Sequence, residues 1–308
     1  MNDPELLVER RRLRRSRSLW RVGAILVAAV SLAALAGGSD LAKSYSPYVA
    51  ELRLSGVIVD DADLIEALDE AMGEDRAQAL VLRIDSPGGT VVGGESFFRA
   101  VRKVAETKPV VAVLGEVAAS GGYMVALAAD RIVAREATIT GSIGVILQTT
   151  DVTGLLDKLG VTAEAVKSAP LKAVPSPLEP LTDAGRAATR ALVDDMYAMF
   201  VDMVADRRAM PRDKALELAD GRVFTGRQAR AAGLVDELGG IAEARIWLAG
   251  KGVRASLPLR EIRVWREEEL LGGLARGAIQ AVLGKTYLPE RLTLDGLVAL
   301  WHPDLRFR

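Results

Sequence analysis

Residues 110–129 read VVAVLGEVAASGGYMVALAA. The run Val110–Leu114 is apolar and β-branched, as a strand buried on both faces would be. Tyr123–Ala129 is apolar too, but its Met, Leu and Ala residues favour a helix. Between them Ser120 stands directly before Gly121 and Gly122, at a strand-to-helix turn. A serine in that place either caps the following helix or presents its hydroxyl as a nucleophile. Outward from this stretch the same alternation continues. Tyr48–Val59 reads as a strand or hairpin broken at Gly56, Asp61–Met72 as an amphipathic helix, and Ala79–Ile84 as a strand that Asp85-Ser86-Pro87-Gly88-Gly89 ends. Ser96–Ala105 is helical. Arg131–Ala134 and Thr138–Thr140 are short strands, Thr153–Leu159 a short helix, and Ala163–Ser168 another strand. Strands and helices alternating through residues 48–170 predict an α/β domain with a mainly parallel sheet. The second half is mostly helical, with an apolar face at Leu192, Met196, Met199 and Met203, and Val193, Phe200 and Val204 beside them, that suits a core or a subunit interface.

Three glycine-rich turns follow three of these strands: Asp85–Gly89, Ala119–Gly122 and Thr140-Gly141-Ser142-Ile143-Gly144. In an open α/β sheet, ligands sit at the carboxyl ends of the strands, where three such turns would converge. A serine hydroxyl is a poor nucleophile until a base takes its proton. The chain has no cysteine and one histidine, His302, in the C-terminal tail. A catalytic Ser120 therefore points to a lysine base. There is no Walker loop, no GxGxxG and no histidine–carboxylate cluster, so no cofactor or metal is expected.

The net charge of −1 argues against nucleic acid as a partner. Seven arginines in residues 1–21 stand against three carboxylates, a local net of +4. The uncharged run Val22–Ser39 follows at once, with Trp20 at its edge, and is just long enough for a spanning helix. The positive-inside rule keeps the N-terminus cytoplasmic and sends the rest across the membrane. Ala34-Leu35-Ala36 also fits a signal-peptide cleavage site, and either reading exports the folded part. The expected organisation is a cytoplasmic Arg-rich segment at 1–21, an anchor at 22–39, a linker at 40–47, the main domain at 48–265 and an extension of unread role at 266–308.

The segments Asp85–Gly89, Ala118–Tyr123 and Gly141–Val145, with Phe224-Thr225-Gly226, Ala229 and Gly233-Leu234-Val235-Asp236, resemble the short, single-domain form of the signal peptide peptidase A family. These are membrane-anchored bacterial serine proteases, and the likeness covers about residues 48–250. It implies a Clp-protease/crotonase-like fold with repeated ββα units, a homo-oligomeric ring, and cleavage of remnant signal peptides at the membrane. It makes Ser120 the nucleophile and Ser142 the residue that orients the lysine. The backbone amides of Gly89 and Gly121 would form the oxyanion hole. The family's base falls at Lys172, in Ala169-Pro170-Leu171-Lys172-Ala173, where alanine replaces the usual glycine; Lys167 is the competing choice. Such a base must have its charged form disfavoured, and the apolar neighbours of Lys172 suggest burial. Val91, Val92 and Ile143 are candidates for lining an apolar substrate cleft. The rival readings are a crotonase-type acyl-CoA enzyme, a related quality-control protease and an inactive anchored scaffold.

Overall fold

The computed structural model describes residues 46–264, together with Trp20, Val27 and the backbone of 297–300. Residues 1–47 form a unit apart from 48–308. The anchor read at 22–39, Val27 aside, and the extension at 266–308, the backbone of 297–300 aside, lie outside the described residues. Among the described residues no helix is long and apolar enough to cross a membrane.

The order is β1 (Tyr48–Ile58), α1 (Ala62–Gly73), β2 (Ala77–Thr90), α2 (Val91–Ala105), β3 (Val110–Ala119), α3 (Gly121–Ala126), β4 (Arg131–Ala134), β5 (Ile139–Gly141), β6 (Ile146–Leu147) and α4 (Thr153–Leu159). Then come α5 (Asp183–Arg207), α6 (Arg212–Leu218), β7 (Val223–Thr225), α7 (Gly226–Ala231), β8 (Glu237–Leu238), α8 (Ile241–Gly250), β9 (Leu259–Glu261) and β10 (Leu297–Leu300). The fold is thus mixed α/β. Strands β9, β1, β2, β3, β4 and β8 pair in parallel in that order. Their period-two side chains feed two cores. Leu80, Leu82 and Ile84 join Phe97, Tyr123 and Phe200 on one face, whereas Ala79 and Val81 join Ala244 and Leu248 of α8 on the other. A sheet covered on both faces needs the near-continuous apolar strands seen in the sequence.

At the carboxyl end the sheet changes partners. Strand β3 leaves β4 and pairs with β5, which pairs antiparallel with β7. Strand β2 leaves β3 after Ser86↔Ala118, and its last residues pair antiparallel with β10. These departures open the gap in which the glycine turns lie.

Four sequence expectations need correction. β1 is one strand through Gly56, whose φ of 71° marks a register shift rather than a hairpin turn. β2 does not stop at Asp85 but continues to Thr90, because β1 goes on pairing with it at Val57↔Gly88 and Ile58↔Gly89. Residues 163–168 form no strand, since an alternating stretch without a neighbouring ladder has nothing to pair with, and Val166 is 98% exposed. On α5 the apolar face read in the sequence is buried at Phe200 and Val204, joined by Val201, with Met199 and Met203 packed at the edge of the core; Leu192 is the exception, being exposed because the first half of the helix stands clear of the core.

Candidate active site

Ser120 stands between β3 and α3 with φ 54° and ψ −120°. Its amide donates to the Gly141 carbonyl at 2.8 Å, and its own carbonyl accepts from Met124 N–H at 2.9 Å. A non-glycine residue held at positive φ costs on the order of 1–3 kcal/mol and persists only where its surroundings dictate it. The hydroxyl makes no capping bond. A true N-cap has extended φ/ψ and accepts from the second or third helical amide, so the capping role is not the one Ser120 plays. The residue is 2% exposed, and its Oγ has no partner among the described residues.

The Asp85–Gly89 segment passes beside this serine. Ser86, fully buried, donates from Oγ to Gly56 O at 2.6 Å and accepts from Gly88 N–H at 3.0 Å. Asp85 Oδ1 accepts from the amides of Glu116 and Val117, both at 3.1 Å, and so fixes the stretch of β3 leading to Ser120. Gly88 has φ 111°. A Cβ on Gly89 would lie 1.7 Å from the Ile58 carbonyl oxygen, so no larger residue fits there. Because Ser86↔Ala118 is the last pair between the strands, Gly88 and Gly89 run on past the point where β3 turns into Ser120 and Gly121.

Ser142 is placed by the same logic. Ala119 and Gly141 are partners in the β3–β5 ladder, so Ser120 and Ser142 follow paired residues and lie about one strand spacing, ~5 Å, apart. Ser142 also has positive φ, 50°, and its amide donates to Arg222 O at 2.8 Å. The late motif backs this turn: Thr140 pairs with Phe224, and the Phe224 ring fills the space where a Gly141 Cβ would be. Tyr123 Oη donates to Leu234 O at 2.7 Å, tying α3 to the Gly233–Asp236 run.

The lysines are placed differently from the expectation. Lys172 is exposed, in a turn closed by its amide on Ala169 O, and Leu171 beside it is 49% exposed. The apolar neighbours do not bury it within this chain, because the whole segment lies on the surface. Lys167 Nζ is paired with Glu179 at 2.5 Å. Of the apolar candidates, Val91 (3% exposed) opens α2 from below the surface and Ile143 (0%) is part of the core, so neither has a surface free to line a cleft; Val92 is 46% exposed. An open cleft of about 650 Å³ lies beyond Ser142, lined by Val145, Ile146, Leu147, Pro175, Leu181 and Arg186 among others. It does not include Ser120. Between that cleft and the serine lies the backbone of β10, antiparallel to both β2 (Ala299↔Gly89, Leu300↔Gly88) and β6 (Val298↔Ile146).

Among the described residues no three histidines or carboxylates cluster as metal ligands would. Sequence reading missed Asp85 and Ser86 as the residues that shape the turn, although both stand inside the glycine motif. It also missed Arg102 and Arg207, which donate to the carbonyls at the end of α3.

Residues 102–254 match the family model for peptidase family S49. A putative protease of Synechocystis is 40% identical over 203 residues, covering 65% of this chain and 73% of that protein. The chloroplastic serine protease SPPA of Arabidopsis thaliana is 32% identical over 278 residues, 87% of this chain and 40% of that one. A putative signal peptide peptidase SppA of Enterococcus faecium is 33% identical over 205 residues, 62% of this chain and 60% of that one. The chain thus spans less than two thirds of the latter two proteins. A solved ClpP1 mutant from Listeria monocytogenes aligns with 62% of this chain and 91% of that chain at a TM-score of 0.41 and 16% identity, too slight a likeness to argue from.

Proposed function

We propose that this chain, which belongs to peptidase family S49, the signal peptide peptidase A family of serine peptidases, is an endopeptidase that cuts extended apolar peptides such as signal-peptide remnants. Ser120 is its nucleophile. The observation that carries this reading is the serine itself, held in a strained backbone with a hydroxyl that nothing in the described chain engages. Ser120 Oγ attacks the peptide carbonyl as its proton passes to a lysine amine. The amides of Gly89 and Gly121 receive the oxyanion, and the lysine returns the proton to the leaving amine. Water then attacks the acyl-enzyme, with the lysine again as base. An extended peptide fits the gap as a strand added antiparallel to β2 and β6, the arrangement that β10 adopts. The finer fold assignment, a Clp-protease/crotonase-like architecture, belongs to the same reading.

Lys172 is the base in this reading. Lys167 is engaged with Glu179. Since Lys172 is exposed, it meets Ser120 across an interface between two copies of the chain. The surface around it supports this: Leu155, Leu159, Val161, Val166, Leu171 and Leu178 are all 49% or more exposed within the same segment, an apolar area that water-exposed chains seldom leave bare. The run Val22–Ser39 anchors the domain in the inner membrane, with the N-terminus cytoplasmic and the site on the extracytoplasmic side.

The test is labelling with a fluorophosphonate and hydrolysis of a short apolar peptide by the full chain, wild type against Ser120→Ala, Lys172→Ala and Lys167→Ala. The expected result is labelling and turnover lost in the first two and kept in the third. Wild-type turnover by Ser120→Ala would overturn the serine peptidase mechanism.

A further inference from the structure

Helix α3 is six residues long and opens at Gly121. Its far end runs into Leu127, Ala128 and Ala129, which are 1%, 0% and 4% exposed. Buried carbonyls at a helix end need donors, and leaving one unpaired costs about 1–3 kcal/mol. Here three successive carbonyls receive guanidinium donors. Arg207 Nε donates to Leu127 O at 2.8 Å and Nη2 to Ala129 O at 3.1 Å, while Arg102 Nη1 donates to Ala128 O at 3.0 Å. Arg207 is the last residue of α5, and Arg102 lies in the last turn of α2.

The origin of α2 gives the grip its meaning. That helix begins at Val91, two residues after Gly89, with Thr90 as its cap accepting from Gly93 N–H at 3.0 Å. So one of the two oxyanion amides leads directly into α2, and the other opens α3. The distance between the amides is the distance between the starts of two packed helices. At that end they touch through a glycine: a Cβ on Gly94 would lie 2.9 Å from Met124 Sδ and 3.6 Å from Gly121 Cα. At the other end they are joined by Arg102. Arg207 holds the same end of α3 from α5, whose Phe200, Val201 and Val204 are buried in the same core.

Resting on the serine peptidase reading, we propose that Arg102 and Arg207 are positioning residues which set the spacing of the Gly89 and Gly121 amides by fixing the far end of α3 against α2 and α5. Neither touches substrate. A helix of six residues is about 9 Å long, so a displaced end is carried to the amide with little loss. A misplacement of about 1 Å at a reacting group costs about 100-fold in rate.

The experiment measures kcat per active serine, counted by complete fluorophosphonate labelling, together with KM for an apolar peptide, affinity for a peptide boronate and the thermal midpoint. For Arg102→Ala and Arg207→Ala, kcat per labelled serine should fall about 10–100-fold with KM within about twofold. Boronate affinity should fall in parallel, because its tetrahedral adduct places an oxygen between the two amides. Arg102→Lys should recover most of the rate, since one donor suffices for Ala128 O. Arg207→Lys should not, because an ammonium does not span two carbonyls as a guanidinium fork does. Arg99→Ala, which removes an exposed α2 cation paired with Glu95, should leave kcat unchanged. Should the alanine variants not fold, Arg207→Lys reads the same quantity. A lowered midpoint with wild-type kcat per labelled serine would overturn the proposal, as would equal losses in Arg99→Ala. Full turnover by Ser120→Ala would instead strike at the peptidase reading beneath it.

Discussion

Ser120 carries strain for which a glycine would have no need. At φ 54° and ψ −120° a Cβ is disfavoured, and glycine is not. Ser120→Gly should therefore be more stable than Ser120→Ala by about 1 kcal/mol, both without activity, as read from denaturant midpoints. Tyr123 gives a second prediction. Burial raises its pKa well above the ordinary tyrosine value, with the Arg208 charge lowering it and Asp236 raising it to smaller extents. Above about pH 10 the unfolded chain loses this proton while the folded chain keeps it. The unfolded state then binds fewer protons, so stability falls as pH rises through that range. Tyr123→Phe should lower stability by about 1–2 kcal/mol near neutrality, by stranding the Leu234 carbonyl, and should flatten the alkaline fall. An unchanged alkaline slope in urea melts would show that Tyr123 does not cause it. At this scale the turns that hold Ser120, Gly89 and Ser142 were legible because their glycines follow apolar strand runs, whereas the roles given to Gly89 and Ser142 came from the resemblance. Arg102 and Arg207 were not legible, because an arginine near a helix end looks the same in sequence whether it faces water or a buried carbonyl.

The elements show what periodicity reads and what it does not. Strands β2, β3 and β4 were visible as apolar runs because both faces of a parallel sheet are buried. The continuation of β2 through Pro87, Gly88 and Gly89 was hidden, since each of those residues usually ends a strand, and only pairing with β1 sustains it. The strand expected at 163–168 failed for the opposite reason, a local pattern without a partner. Strand β10 follows the same rule, for its place depends on two distant edges. By pairing with Gly88–Thr90 and with Ile146–Leu147 it fills the gap that the proposed function gives to peptide substrates. Deleting residues 292–308 should therefore lower KM for a short apolar peptide severalfold with kcat unchanged, as release of a tethered competitor would. Val298→Pro should act in the same direction, because proline removes a ladder donor from a strand paired on both sides. Unchanged KM in both variants would make β10 an ordinary part of the sheet.

The proposed mechanism has its nucleophile buried and its base on the surface, and these are reconciled only above the level of one chain. The backbone of β3, β5 and α3 sets Ser120, Ser142 and Gly121 side by side with no help from another molecule. Lys172 instead belongs to a segment whose apolar side chains are turned outward, with the first half of α5 beside it largely exposed. Covering that surface with a second copy would bury the apolar side chains and bring a lysine to a serine in one step. Closed rings repeat one interface, so every serine would be served by the neighbour's lysine. Ser120→Ala and Lys172→Ala chains, each inactive alone, should then complement each other when dissociated, mixed and reassembled. If each site draws its serine from one copy and its lysine from the next, an equal mixture should recover about a quarter of wild-type activity. Titrating one variant against the other should give a maximum near equal proportions. Dilution should abolish activity together with assembly, as followed by light scattering. A mixture that stays inactive while forming mixed oligomers would place serine and lysine in the same chain, and would require the 160–181 segment to fold inward over Ser120.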